Sequence, residues 1–305
     1  MSTAIVMSGG GIRGPLQVGA LQSLLEHGIK PDMLAGTSAG SLNAGFMAAM
    51  GAELSTIPAL QKAWKSATKD KVYPGSAGAV MLRVLLDGAE GFFPTDGMRK
   101  LIQQTLPKGI TTFGQCKLPC YLTAVDLCSA QLYVFGDLPS AKLVDGMMAS
   151  SVIPVLQPPL NYGNLQLVDG GVLSELPASV VMDRGAKVIY AINVGRGDEV
   201  KPPAKGIFEI FMRTLETMVA ESIFQDFKRA EADPTVELHH IHIGALGTLP
   251  FDDFSHIDEM FVLGKQAADE YLANPAPKMV AAPRAVTAAP NTVRGAQQYI
   301  PPYRR

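Results

Sequence analysis

Ser38 stands at the centre of Gly36-Thr37-Ser38-Ala39-Gly40, a G-x-S-x-G pentapeptide between the apolar run Pro31 to Ala35 and the helix-forming run Ser41 to Met50. A serine in that setting can attack a carbonyl carbon if a sharp turn lifts its hydroxyl clear of both flanking elements. Such a turn strains the serine backbone and brings strand and helix almost into contact. Glycines two before and two after the serine remove the side chains that would collide. Gly51 ends the helical run, as a C-terminal glycine does. The pattern predicts a strand–turn–helix elbow with Ser38 as a nucleophile.

A second glycine motif comes earlier. The apolar run Ala4 to Met7 leads into Gly9-Gly10-Gly11-Ile12-Arg13-Gly14, and Pro15 then sits where a helix begins. Leu16, Val18, Ala20, Leu21, Leu24 and Leu25 follow at helical spacing on one face up to Gly28. A glycine loop entering a helix N-terminus aims backbone amides at one point, where the helix dipole favours an anion. That anion could be a phosphate or the oxyanion of a tetrahedral intermediate. A dinucleotide site would want an acidic residue at the C-terminal end of the second strand. Gly36 and Thr37 occupy that place, and Asp32 lies at the other end. No Gly-Lys-Ser/Thr follows the loop, which excludes a P-loop.

A serine nucleophile needs a base. Leu165 to Gly171 reads as an alternating strand ending in Asp169-Gly170-Gly171. Alone this is an Asp-Gly turn, but an aspartate at the end of a neighbouring strand can reach Ser38 if the sheet is parallel. Histidine is the competing base. His27 and His256 fall at helix ends and read as solvated, while His239, His240 and His242 lie in the alternating run Thr235 to Ile243. His240 and His242 would share a half-polar strand face, and no Asp, Glu or Cys stands at a spacing that would complete a metal site. A Ser-His-Asp triad with the histidine last could use His240, His242 or His256, so that alternative stays open on the residues alone.

The glycine loop, the elbow and Asp169-Gly170-Gly171, in this order, resemble the patatin-like phospholipase family. Ala149-Ser150-Ser151-Val152-Ile153-Pro154 with Pro158-Pro159, and Val172-Leu173 leading to Leu176-Pro177, are similar to that family's approach to and exit from its aspartate. The resemblance covers about residues 4–183. It implies a three-layer α/β/α fold with a central, mainly parallel sheet and a Ser38–Asp169 dyad without a catalytic histidine. It further implies an oxyanion hole from Gly9, Gly10, Gly11, Ile12, Arg13 and Gly14, with Gly36, Thr37, Ala39, Gly40, Gly170 and Gly171 shaping the elbow and the aspartate loop. Neither cofactor nor metal is called for. The implied reaction is hydrolysis of an acyl ester, with a lysophospholipid, a phospholipid or another carboxylic ester as substrate. The non-enzymatic alternative is an acyl-lipid-binding module that keeps the elbow for shape, against which the intact serine, aspartate and loop speak.

The chain has 305 residues, 47% of them hydrophobic, enough for one large α/β domain. A net charge of −2 argues against nucleic-acid binding by bulk electrostatics. Cys116, Cys120 and Cys128 read as reduced thiols of a cytoplasmic chain. The N-terminus has no basic leader, and no apolar run approaches the ~20 residues of a membrane span, so membrane contact would be transient and peripheral. Residues 4–183 form the expected catalytic core and 184–272 complete the same domain. Residues 273–305 form an Ala/Pro-rich extended tail through which copies could associate. Pro119 to Val125, Gln131 to Phe135 and Lys187 to Asn193 read as strands, and 206–231 as a long amphipathic, core-facing helix. Met81, Leu85, Phe92, Phe93, Met147, Met148 and Val152 are the expected walls of an acyl pocket.

Overall fold

A strand that is apolar on both faces must be covered on both sides, and β1 (Thr3–Met7), apolar and buried from Ala4 to Met7, is such a strand in the interior of the sheet. In the computed structural model, which describes residues 1–76, 80, 83, 88–195, 202–247 and 249–276, β1 pairs in parallel with β2 (Met33–Gly36) and with β7 (Val188–Asn193). β8 (Glu237–His242) adds in parallel outside β7. Residues 184–272 thus extend the same sheet.

The arrangement around β3 (Cys120–Asp126) positions the site. β4 (Gln131–Phe135) runs antiparallel along one edge of it, from Leu122 to Asp126. The opposite edge is shared. β2 pairs in parallel only up to Gly36 opposite Leu122, and β6 (Leu165–Asp169) pairs antiparallel from Asp169 opposite Ala124. β5 (Leu160–Tyr162) forms a hairpin with β6. β2 and β6 therefore approach head to head, with their C-terminal ends meeting.

Side-chain alternation sorts the two layers. Ile5, Met7, Leu34, Ile192 and Ile241 join the core cluster formed with α1 (Gly14–Glu26), α2 (Ala39–Met50), α3 (Ile57–Lys65), α5 (Asp96–Thr105), α6 (Leu143–Ser151) and α9 (Ile257–Ala273). Ala4, Val6, Met33, Ala35, Ile189 and Leu238 pack on the other face against α7 (Ala178–Met182) and α8 (Ile207–Ala232). The short α4 (Lys69–Val72) follows α3.

Two helices differ from expectation. α1 is buried almost all round, because it lies between the sheet, α2, α3 and α9. A Cβ on its Gly19 would fall 2.1 Å from the Phe261 carbonyl oxygen, and one on Gly264 of α9 would fall 1.9 Å from that of Leu16. α8 is core-facing only in its C-terminal half, where Ile223, Phe224 and Phe227 are buried, whereas Ile207, Ile210 and Met218 are exposed. Met81, Leu85 and the tail from 277 onward, on which the expectation of self-association rests, lie outside the described residues.

Candidate active site

Ser38 occupies the N-terminal cap of α2 with φ 53° and ψ −122°, a conformation that costs a non-glycine residue of order 1–3 kcal/mol. Neutral hydrogen bonds hold it there. Its N–H donates to Ser150 Oγ at 2.9 Å, and its carbonyl accepts from Ser41 Oγ at 2.6 Å and Ser151 Oγ at 3.3 Å. Thr37 N–H donates to the Met7 carbonyl at 3.1 Å, and Thr37 Oγ1 to that of Ser174 at 2.8 Å. The elbow glycines leave no spare room. A Cβ on Gly36 would sit 2.3 Å from the Gly40 carbonyl oxygen, and one on Gly40 would sit 2.3 Å from that of Met7.

The glycine loop closes into a single 3₁₀ turn, Gly11–Arg13, at the C-terminal end of β1. Three of its six amides are already committed. Gly9 donates to the Glu175 carbonyl at 3.2 Å, Arg13 to that of Gly10 at 3.1 Å, and Gly14 to that of Gly11. This narrows the expected donor set to Gly10, Gly11 and Ile12, at the N-terminal end of a helical turn, where amides have no carbonyl ahead of them. Gly11 and Ile12 line both cavities that open at Ser38. Arg13 ties the loop down through the Val194 and Gly247 carbonyls.

Asp169 reaches the same point from the opposing strand. Its carboxylate accepts from Gly171 N–H at 2.8 Å and stands beside the Ser38 side chain on the wall of the larger cavity. Burial pushes its pKa up to about 6, and the neighbouring Ser38 side chain and Gly171 amide only partly offset that rise. The expected parallel neighbour is corrected here. β6 is antiparallel to β3 and does not pair with β2. The reach comes from register. Gly36 is opposite Leu122 and Asp169 opposite Ala124, so Asp169 lies level with the residue two beyond Gly36, which is Ser38.

None of the histidines lines either cavity at Ser38. On the face of β8 shared by His240 and His242, His240 is buried and His242 half-buried: His240 contacts the Asn193 amide at 3.2 Å and meets the Phe227 ring of α8 edge-on. His239 stacks on Tyr190, and His256 binds Glu259 at the surface.

The two cavities differ in kind. One, of about 100 Å³, is walled by Leu42, Trp64, Met98, Ile102 and Met147 from four helices. The other, of about 420 Å³, holds Asp169 and runs under α8 along Met212, Leu215 and Val219. Of the expected acyl walls, Met147 lines the first cavity. Met148 and Val152 are 1% exposed and belong to the core, because only one side of α6 faces the cavity. Phe93 packs edge-on against Tyr73, itself a wall residue, and stands behind it.

Sequence reasoning missed several groups. Ser150 and Ser151, read there only as part of an approach segment, support the elbow backbone. Glu175 is buried on the wall of the larger cavity. Asp226 of α8, raised to about 6 chiefly by burial, accepts from Ser174 Oγ at 3.1 Å and Ser179 N–H at 3.3 Å. The only sequence signal was an unusual run of polar residues, Ser174-Glu175, inside an otherwise apolar stretch.

Fold and site together define a three-layer α/β/α protein in which an elbow serine faces a buried aspartate across two abutting strands. The chain belongs to the patatin-like phospholipase family, whose family model matches residues 5–182. It is 28% identical over 213 residues to lysophospholipase NTE1 of Mycosarcoma maydis, covering 68% of this chain and 10% of that protein. It is 32% identical over 200 residues to patatin-like phospholipase domain-containing protein 7 of Rattus norvegicus, covering 64% of this chain and 14% of that protein. The chain thus spans a small part of the length of the relatives it matches. The crystal structure of VipD from Legionella pneumophila is similar with a TM-score of 0.47 at 13% identity, over 89% of this chain and 66% of that one.

Proposed function

We propose that this protein hydrolyses acyl esters of lipids through a Ser38–Asp169 dyad, acting as a lysophospholipase, a phospholipase A or a carboxylesterase. Ser38 Oγ attacks the ester carbonyl while Asp169 takes its proton. The amides of Gly10, Gly11 and Ile12 receive the oxyanion, a contribution worth about 3–4 kcal/mol for a well-placed donor. The proton passes from Asp169 to the leaving alcohol, and a water activated by the same carboxylate releases the acid. The observation that carries this reading is the placement of Ser38 beside a buried carboxylate whose pKa of about 6 leaves it ionised, yet a usable base, near neutral pH.

The naming of the relatives as lysophospholipase and phospholipase supports a lipid substrate. The apolar cavity beside Ser38 supports an acyl chain bound there, at about 0.8 kcal/mol for each methylene buried. Contact with a lipid surface is proposed as transient; among the described residues no helix is long and apolar enough to cross a membrane.

Ser38→Ala should leave a folded protein that a fluorophosphonate no longer labels and that turns over neither p-nitrophenyl esters nor lysophospholipids. Asp169→Asn should lower turnover at least ~100-fold, within the range for losing a general base. His240→Gln, His242→Gln and His256→Gln should retain turnover. Stoichiometric labelling of another serine in Ser38→Ala, or abolition of turnover by one folded histidine variant, would overturn the dyad.

A further inference from the structure

A carboxyl that the dyad does not use closes the gap between the glycine loop and the aspartate loop. Glu175 Oε1 and Oε2 lie 2.6 and 2.7 Å from the point a Gly9 Cβ would occupy, and Oε2 lies 2.4 Å from the corresponding point at Gly171. Asp169 Oδ1 lies 3.2 Å from that same Gly171 point. The side chain is thus wedged between the start of the oxyanion loop and the residue whose amide holds the base. Its backbone is pinned on both sides: the Glu175 carbonyl accepts from Gly9 N–H at 3.2 Å, and Glu175 N–H donates to Ser222 Oγ of α8 at 3.2 Å.

The charges around it do not favour a second anion. Asp169 faces it from the end of β6, and its negative charge adds to burial in holding the Glu175 carboxyl well above the usual carboxylate range. Tyr73 and Glu216 of α8 line the same cavity. Asp226 of α8 engages its neighbours Ser174 and Ser179. Arg13, a cation on the cavity wall, turns its guanidinium to the Val194 and Gly247 carbonyls. Among the described residues no basic side chain forms an ion pair with Glu175.

We propose that Glu175 is a positioning residue that works as an uncharged acid, spacing the oxyanion loop from the aspartate loop and keeping negative charge away from where the oxyanion forms. The proposal rests on the Ser38–Asp169 reading. Loss of its proton would place a carboxylate beside both the base and the loop amides. That carboxylate would oppose the developing oxyanion, so activity would fall at alkaline pH through Glu175 itself.

The test is the second-order rate of fluorophosphonate labelling from about pH 5 to about pH 10, for the wild type and Glu175→Gln, with the melting temperature followed at each pH. The wild-type rate should rise through the acid limb and then fall about tenfold per pH unit above an alkaline midpoint, as a single titrating group requires. Glu175→Gln should label within about threefold of the wild type near pH 7, keep the acid limb and stay level at alkaline pH. An alkaline limb unchanged in Glu175→Gln overturns the proposal. So does a folded Glu175→Gln protein that fails to label at any pH, or a stable wild type whose rate stays flat to the end of the range. Labelling that survives in Ser38→Ala would instead sink the dyad on which the proposal stands.

Discussion

Ser38 and Asp169 are equally withdrawn from solvent, at 6% and 7% exposure, yet opposite means hold them in place. The elbow is set by neutral hydrogen bonds and by backbone in contact with backbone, so its cost is conformational strain. The aspartate loop is set among buried titratable groups. Asp169 and Asp226 are both raised to about 6, and burial with the Asp169 charge holds Glu175 well above the usual carboxylate range. Its cost is therefore electrostatic and depends on pH. Strain cannot be titrated away, whereas charge can. One half of the site should respond to shape changes identically at every pH, and the other should respond to pH itself.

The largest effect that would sharpen this contrast is steric. In Gly40→Ala the new Cβ would lie 2.3 Å from the Met7 carbonyl oxygen and 2.5 Å from that of Ser8, both main-chain atoms. Overpacking of a well-filled core costs about 1–3 kcal/mol, and more where only backbone can give way. We expect a loss of at least ~3 kcal/mol in urea unfolding, equal at pH 5.5 and pH 8. A loss under about 1 kcal/mol would mean that the elbow is looser than its contacts imply.

The aspartate loop should behave in the other way. The folded pKa of Asp169, about 6, stands above its ordinary 3.8, so the folded state binds the proton more tightly. Its stabilising contribution is complete below about pH 4 and is lost as pH rises through about 6. Asp169→Asn stays neutral and can still accept from Gly171. At pH 7.5 it should unfold with a free energy on the order of 1–3 kcal/mol higher than the wild type, with a flatter pH dependence between about pH 4 and 6. The same substitution should nearly abolish turnover. Urea titrations at several pH values decide this, and a destabilised Asp169→Asn at pH 7.5 would break the comparison.

A smaller effect belongs to the elbow. Ser150→Ala removes the acceptor of the Ser38 amide and leaves a buried N–H unpaired, at a cost of about 1–3 kcal/mol. The melting temperature should drop by a similar amount at pH 5.5 and pH 8. A drop confined to one pH would place Ser150 on the electrostatic side of the site.

Much of the elbow could be read directly, because its requirements are local. Gly36 makes room for the Gly40 carbonyl four residues on, and Gly51 ends the helix at its own position. Gly40 also clears the Met7 and Ser8 carbonyls at the end of β1, and a pattern of adjacent residues reports only the local part of such constraints well. The strand readings were also close: Pro119 to Val125 against Cys120–Asp126, and Lys187 to Asn193 against Val188–Asn193. Side-chain environment was less legible. Met147 and Met148 are adjacent methionines, yet one lines a cavity and the other is core, since 100° of helix rotation separates them and only packing chooses which faces inward. His240 of β8 read as half-polar, but it is buried against Phe227 of α8, a helix that precedes its strand, so the strand's own pattern does not report it.

The sequence by itself determined the elbow serine, the glycine turn before the first helix and the aspartate that ends its strand, since each is written in a few consecutive residues with sharp steric demands. Only the tertiary structure decided how Asp169 meets Ser38. β2 and β6 share one edge of β3 and stop within two residues of each other, a register set by long-range pairing that no local pattern encodes. The same holds for Glu175. A lone glutamate in an apolar stretch becomes a wedge between two loops only because the glycines on either side, Gly9 and Gly171, are brought to it from 166 residues upstream and from four residues before it.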